Sequence, residues 1–165
     1  LKDIADTLGI KQASLYYHVP GGKEALFVEV TERGFNKHRA QLEQVATEAG
    51  PALEDKLKAV SRWLLQQPPL NFSRMIASDM PSISEEHAER LMGIGYQSVL
   101  MPVENIFRDA TTREALQLPQ VIVLAGSFLS IVSAIQHTPM NPTYEELVKM
   151  TDEMIGVLLN GIRKR

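Results

Sequence analysis

Residues 4–19 read IADTLGIKQASLYYHV, and this stretch decides the fold. Gly9 stands in its middle, where a glycine favours the end of a helix because it adopts positive φ without a steric penalty. The segment therefore predicts two short helices joined by a glycine turn, with Ile10 and Leu15 packed in the angle between them. The first helix is predicted from apolar residues spaced three and four positions apart, which are Leu1, Ile4, Ala5 and Leu8.

The second of these helices carries many side chains that form hydrogen bonds. A short helix of this kind, held by a tight turn against a preceding helix, suits insertion into the major groove of DNA. The pattern is that of a helix-turn-helix, and we expect its polar side chains to stay exposed. These side chains are Lys11, Gln12, Ser14, Tyr16, Tyr17 and His18.

A longer run resembles a known signature. Ile4-Ala5 and Leu8-Gly9-Ile10 are followed by Leu-Tyr-Tyr-His at 15–18, a glycine-containing link at 19–22 and Lys-Glu-Ala-Leu at 23–26. Together they are similar to the signature of the tetracycline-repressor-like (TetR) transcriptional regulators. The resemblance covers about the first 26 residues, and the rest of the chain agrees in architecture only.

The resemblance implies roles for individual residues. It places Gln12 and Ser14 at base edges and Lys11 and Lys23 at phosphates. It also implies that the three remaining polar residues seat the second helix against the DNA backbone, and these are Tyr16, Tyr17 and His18.

The beginning of the chain departs from the family pattern. In the family another helix precedes these two, whereas this chain opens at Leu1 without an initiator Met, so we expect it to be a fragment. Residues 1–50 hold six Lys and Arg against seven Asp and Glu, a net charge of −1. Affinity for nucleic acid depends largely on neutralised phosphates, so charge alone would not indicate DNA.

Composition sets broad limits. The 165 residues are 44% hydrophobic, enough to bury the core of one or two small domains, and the formal net charge is −3. The absence of cysteine excludes disulfides and thiolate metal sites and fits a cytoplasmic protein. No run reaches the ~18–20 apolar residues that a membrane span requires.

All later segments favour helices, so the predicted fold class is all-α. We expect a DNA-binding domain with its connecting helix over 1–48 and an effector-binding and dimerisation domain over 49–165. The connecting helix is predicted over 23–49, and prolines at 68–69 end the next one. Capping boxes are predicted at Ser82–Glu85 and at Thr143–Glu146, and Pro102 is expected to kink the helix that contains it.

The last two helices are strongly apolar. Residues 119–136 have almost no polar side, and the final helix has a wide apolar face, so each needs more than one neighbour. One central buried helix with its neighbour would satisfy this pattern. The family resemblance implies instead a homodimer formed through residues 119–136 and 143–163.

Methionine and aromatic residues cluster in the middle segments. Such side chains suit an irregular apolar cavity, but each could equally belong to an ordinary core. The resemblance implies that these helices surround an effector site, with Tyr96 as a polar handle. His87 lies among glutamates near a helix start, where a solvent-facing role is favoured over a metal site. The candidate ligand-binding residues are Trp63, Phe72, Met75, Met80, Met92, Tyr96 and Phe107.

The sequence contains no catalytic motif, neither a phosphate-binding glycine loop nor a metalloprotease or serine-hydrolase signature. We therefore expect no enzyme, no cofactor and no metal. The favoured interpretation is a homodimeric transcriptional regulator, most often a repressor, that leaves operator DNA when a small apolar effector binds. The alternatives are a ligand-independent dimeric regulator that acts through a protein partner and a helical enzyme that uses the cavity.

Overall fold

The computed structural model describes residues 1–68, 74–114 and 120–162, and every regular element in these ranges is helical. The first four helices are α1 (Lys2–Leu8), α2 (Gln12–His18), α3 (Gly22–Glu48) and α4 (Leu53–Gln66). A π-helical turn (Met75–Asp79) and a 3-10 turn (Met80–Ser82) follow. The remaining helices are α5 (Glu85–Gly95), α6 (Met101–Glu114), α7 (Val121–Gln136) and α8 (Tyr144–Ile162), and a second π-helical turn (Tyr96–Leu100) joins α5 to α6.

The predicted glycine turn joins α1 to α2. Gly9 has φ 66°, its N–H donates to the Asp6 carbonyl at 3.2 Å, and the Ile10 N–H donates to the Ala5 carbonyl at 3.0 Å. This pair of hydrogen bonds is the Schellman motif, which satisfies the last carbonyls of a helix. Ala5 and Leu15 are buried between the two helices, as predicted.

The expected packing of Ile10 in the angle between the two helices is wrong. Ile10 is 40% exposed, so Leu15 alone fills the angle between the helices. Ile4 and Leu8 are 41% and 61% exposed, because α1 packs with α2 through the small side chain of Ala5.

One large hydrophobic core joins the second half of α3 to α4, α6, α7 and α8. Leu57, Phe107 and Ala125 have no exposed surface in it, and Phe128 is 1% exposed. Within the described ranges, no helix combines the length and the apolar character needed to cross a membrane.

A smaller core lies nearer the beginning of α3. Val28 of α3, Met80 of the 3-10 turn and Leu91 of α5 are buried together there. Leu42 and Ala46, further along α3, belong to the large core. The connecting helix α3 therefore contributes side chains to both cores. The expected domain boundary between residues 48 and 49 remains a prediction.

The two predicted capping boxes have different outcomes. At Thr143 the box is confirmed, because the Glu146 carboxylate accepts from the Thr143 N–H at 2.7 Å and Thr143 Oγ1 accepts from the Glu146 N–H at 3.3 Å. The box at Ser82 is wrong. The Ser82 hydroxyl donates to the Ser78 carbonyl, and α5 begins at Glu85 after Ser84.

Pro102 stands just after the π-helical turn at Tyr96–Leu100. Proline has no N–H, so the Ser98 carbonyl loses the donor that an uninterrupted helix would supply four residues later. The wider turn accommodates this loss, and α6 continues from Met101. The predicted kink at Pro102 stays a prediction, and the structure places a π-helical turn immediately before this helix.

His38 of α3 packs between elements. Its ring stands edge-on to Trp63 of α4, with ring centroids 4.6 Å apart. Burial lowers the pKa of the His38 imidazole below its usual value. The ring is therefore held in its neutral form at neutral pH.

We expect Phe128→Ala to lower the free energy of unfolding by about 3–5 kcal/mol, since it removes a fully buried ring from the large core. Val30→Ala is the control, because Val30 is 59% exposed on α3 and its truncation should change the free energy by about 0.5 kcal/mol or less. Urea denaturation of both variants measures the difference. Equal losses would contradict the position assigned to Phe128.

The burial of His38 predicts that the folded protein loses stability as the pH falls. In the unfolded chain, His38 binds a proton near pH 6.5, whereas in the folded chain it binds a proton only at a lower pH. Stability contributed by neutral His38 is therefore present above about pH 6.5 and is lost as pH falls towards the lowered pKa. We expect the melting temperature to fall more between about pH 7.5 and 5.5 in the parent chain than in His38→Met. An equal or smaller fall in the parent would be evidence against a buried neutral ring.

Candidate DNA-binding face and ligand cavity

The second helix of the predicted helix-turn-helix leaves its polar side open. Leu15 points inward and is 7% exposed, whereas Tyr17 is 84% exposed with its ring edge-on to His18. The other members of the predicted set are exposed as well, and they are Lys11, Gln12, Ser14, Tyr16 and His18. The structure thus presents all six polar residues on or beside α2 to solvent.

The link from α2 to α3 contains two glycines. Gly22 has φ 74°, a conformation that residues with a Cβ rarely adopt, and its N–H donates to the Val19 carbonyl at 3.0 Å. Lys23 follows at once and is exposed in the first turn of α3. Its ammonium group is thereby available near the exposed side of the helix pair.

A cavity of about 670 Å³ lies among α3, α4, α5, α7 and the two π-helical turns. Its volume is in the range of small-molecule sites. Both π-helical turns form parts of its wall, through Met75 and Ile76 in one and Tyr96 in the other. The other lining residues are His38, Leu64, Gln67, Pro68, Met92, Gly95, Val99, Leu100, Gly126, Leu129, Ser130, Val132, Ser133, Ala134, Gln136 and His137.

Three of the predicted ligand-binding residues line this cavity, namely Met75, Met92 and Tyr96. Phe107 instead has no exposed surface in the large core, and Met80 is buried in the smaller one.

Trp63 packs on the large core and contacts the His38 ring, which itself lines the cavity. Phe72 lies outside the described residues. Aromatic and methionine composition therefore identified part of the wall and also selected ordinary core positions.

Sequence reasoning missed most of the polar lining. Gln67 stands at the end of α4, and Gln136 and His137 stand at the end of α7, next to prolines that mark both helix ends. Those prolines mark where each helix ends, but the sequence carries no signal that the two ends meet. The missed polar residues are His38, Gln67, Ser130, Ser133, Gln136 and His137.

No Lys, Arg, Asp or Glu belongs to the cavity wall formed by the described residues. The Tyr96 hydroxyl donates to Glu104 Oε1 at 3.1 Å, and this hydrogen bond raises the pKa of Tyr96. The Glu104 carboxylate is buried and also accepts from Arg108 at 3.1 Å. The cavity is thus lined by apolar and uncharged polar groups, and the polar handle predicted at Tyr96 is already engaged.

Residues at the start of α5 bind the first turn of α3. The Glu24 carboxylate accepts from the Ser84 N–H at 2.8 Å and lies 2.7 Å from His87 Nδ1. These hydrogen bonds, chiefly the one with His87, lower the pKa of Glu24 to about 2. The Ser84 backbone N–H at the start of α5 therefore finds its acceptor on α3.

One turn further along α5, Arg90 donates to the Glu32 carboxylate of α3 at 2.9 Å. The far end of α5 contributes Met92 and Gly95 to the cavity wall. Helix α5 is thus in contact with the cavity at one end and with the residue next to Lys23 at the other.

Across the described ranges, no cluster of His, Cys, Asp or Glu is placed to hold a metal ion.

Comparison with known proteins places the fold. No protein-family model and no curated protein sequence matches the chain. Solved structures do. A protein from Mesorhizobium loti MAFF303099 assigned to the TetR family of transcriptional regulators superimposes with a TM-score of 0.73 at 20% identity, over 99% of this chain and 86% of its own.

Two further structures agree. AibR, in complex with isovaleryl coenzyme A and operator DNA, has a TM-score of 0.70 at 20% identity, over 94% of this chain and 84% of its own. A bacterial regulatory protein in the TetR family from Rhodococcus RHA1 has a TM-score of 0.68 at 16% identity, over 99% of this chain and 86% of its own. The chain therefore has the all-helical fold of the TetR-family regulators, over nearly its whole length.

Proposed function

We propose that this protein is a dimeric DNA-binding transcriptional regulator that acts as a repressor and leaves its operator when a small apolar molecule fills the cavity. The observation that carries the proposal is the exposed polar side of α2, held by the turn at Gly9 and joined through α3 to a helical body with a cavity. The shared fold with AibR, whose structure holds both operator DNA and a small molecule, supports this combination.

In the DNA complex, Gln12 and Ser14 read base edges and Lys11 and Lys23 bind phosphates. Amide and hydroxyl groups suit base recognition, whereas ammonium groups bind any sequence. The rings on the same helix position it against the sugar-phosphate backbone, and they belong to Tyr16, Tyr17 and His18.

The proposed dimer forms through α7 and α8, within residues 119–136 and 143–163. Both helices keep large apolar side chains exposed although they also contribute to the core. On α7 these are Ile122 and Val123, and on α8 they are Met154 and Val157. Covering such surface with a second copy is favourable, and a two-fold pair presents two recognition helices to successive grooves.

The proposed effector differs from the ligand of AibR. Isovaleryl coenzyme A carries phosphates, and the cavity wall of this chain, as far as the structure describes it, has no Lys or Arg to neutralise them. Burying an unpaired charge is costly. We therefore assign an uncharged and mainly apolar molecule to this cavity.

The release step uses the contacts of α5. A ligand against Met92 and Gly95 favours arrangements of α5 that suit the filled cavity. The bonds from Ser84 and His87 to Glu24 transmit that preference to the first turn of α3, beside Lys23. The effector thereby shifts the population towards states whose recognition helices no longer match the operator.

DNA binding is tested with the protein as its gene encodes it, on an operator selected from a random DNA pool. Gln12→Ala should cost about 1–3 kcal/mol of discrimination at one base position, because it removes an amide from a base edge. Lys23→Ala should weaken all sequences alike and reduce the salt slope by about one, because it removes one phosphate contact. Fluorescence anisotropy at several salt concentrations measures both effects.

Glu29→Gln is the matched control for these variants, because Glu29 lies on α3 and pairs with Arg33 of the same helix. It should leave base preference unchanged. Failure to select any DNA sequence, or an identical effect of Gln12→Ala and Lys23→Ala on all sequences, would contradict the roles assigned to α2.

The dimer is tested by Val157→Asp, which places a charge at a residue that is 64% exposed in the single chain. If a second copy covers this position, the buried carboxylate should weaken the dimer at least tenfold, or about 1.4 kcal/mol. Val30→Asp, on the exposed side of α3, should leave the dimer intact. Sedimentation equilibrium reads the result, and a monomeric parent chain would refute the proposed assembly.

A further inference from the structure

We propose that the cavity selects an uncharged apolar molecule that carries a hydroxyl group, and that this group binds where α4 and α7 end. The inference rests on the proposed effector function and names the chemical class of the effector. It depends on the orientation of three side chains at one end of the cavity, those of Gln67, Gln136 and His137.

The ends of the two helices are tied together at the cavity wall. The side-chain amide of Gln136 donates to the Gln67 carbonyl at 2.8 Å and also lies 3.4 Å from the Leu64 carbonyl. The wall here therefore consists of two helix C-termini, which carry partial negative charge. Such an environment favours a ligand group that donates a hydrogen bond.

The hydrogen bonds settle which end of each glutamine remains available. A backbone carbonyl only accepts, so the Gln136 atom that faces it is the nitrogen. The Gln67 nitrogen is likewise directed at the Trp63 carbonyl, at 3.4 Å. Gln136 thus directs its nitrogen at two backbone carbonyls and Gln67 directs one N–H at a third, and the amide oxygen of each remains an acceptor.

His137 is oriented by the same argument. Its Nδ1 lies 2.7 Å from the Ser133 carbonyl, so Nδ1 carries the hydrogen in the neutral ring. Nε2 then carries a lone pair and is the third acceptor. The hydroxyl groups of Ser130 and Ser133 also lie in the wall.

The apolar part of the wall indicates the chemistry of the rest of the ligand. Met75, Ile76 and Met92 supply apolar and adaptable surface for its body. The wall formed by the described residues has no Lys, Arg, Asp or Glu. A carboxylate or phosphate head would therefore meet no counter-charge on this wall.

The test compares molecules that differ at one atom group. Isothermal titration calorimetry of the full chain is run with para-hexylphenol, with its methyl ether para-hexylanisole and with para-hexylbenzoate. The phenol has the donor, the ether has lost only the donor, and the benzoate is an anion. We expect the phenol to bind at least tenfold more tightly than the ether, because the ether displaces water from these acceptors without replacing its hydrogen bonds, and the benzoate not to bind.

Variants then assign the selectivity to the acceptors. Gln67→Leu and Gln136→Leu should each reduce the ratio of the ether and phenol dissociation constants by threefold or more. Gln66→Leu is the matched control, because Gln66 stands at the same end of α4, bonds to the Tyr144 hydroxyl and does not line the cavity. It should leave the ratio unchanged. The ratio compares two ligands in one sample, so a partly unfolded variant does not alter it.

Equal binding of phenol and ether to the parent chain overturns the inference, as does binding of the benzoate or failure of the phenol to bind. An unchanged ratio in both Gln67→Leu and Gln136→Leu overturns it too. The proposed function fails differently, through the absence of a selected operator or through DNA affinity that saturating phenol leaves unchanged. Those results would leave the preference for a hydroxyl standing.

Discussion

The 27-residue helix α3 has to serve two hydrophobic cores at once, and the rest of the structure depends on this constraint. Near its beginning Val28 packs with Met80 and Leu91, and further along Leu42 and Ala46 pack into the large core. A helix fixed at both places cannot move at one end without altering contacts at the other. The helix pair α1–α2 is attached directly before it, so the orientation of the exposed side of α2 follows from the packing of α3.

Polar side-chain contacts among the described residues join the first half of α3 to one neighbour, α5. Glu24 binds the start of α5 through Ser84 and His87, and Glu32 binds it through Arg90. These bonds are directional, whereas the apolar contacts of Val28 tolerate small shifts. Helix α5 also borders the cavity, so a bound molecule would reach the first turns of α3 through α5, in addition to its direct contact with His38 further along α3. Both π-helical turns form part of the cavity wall, and such turns are frequent at functional sites.

Local patterns in the sequence predicted most of the helices. The spacing of apolar residues, Gly9 and the box at Thr143 each act within a few residues, so they can be read without knowing the fold. The box at Ser82 was wrong because the helix begins two residues later, after Ser84, whose N–H is bound by Glu24, sixty positions earlier in the chain. His38 and Gln136 were missed for the same reason, because their places in the wall depend on how distant helices meet. Phe107 was chosen as a ligand residue by composition alone, which does not distinguish a cavity wall from a packed core.

The central claim is that the bonds of Glu24 couple the cavity to DNA binding, and one comparison tests it most directly. The ratio of operator dissociation constants with and without saturating para-hexylphenol is measured in the parent chain, in Glu24→Gln and in the control Glu29→Gln. Coupling between sites in proteins is typically about 5–150-fold. The account predicts a ratio in this range for the parent and for Glu29→Gln, and a ratio reduced towards one for Glu24→Gln. An equal ratio in all three proteins would contradict it.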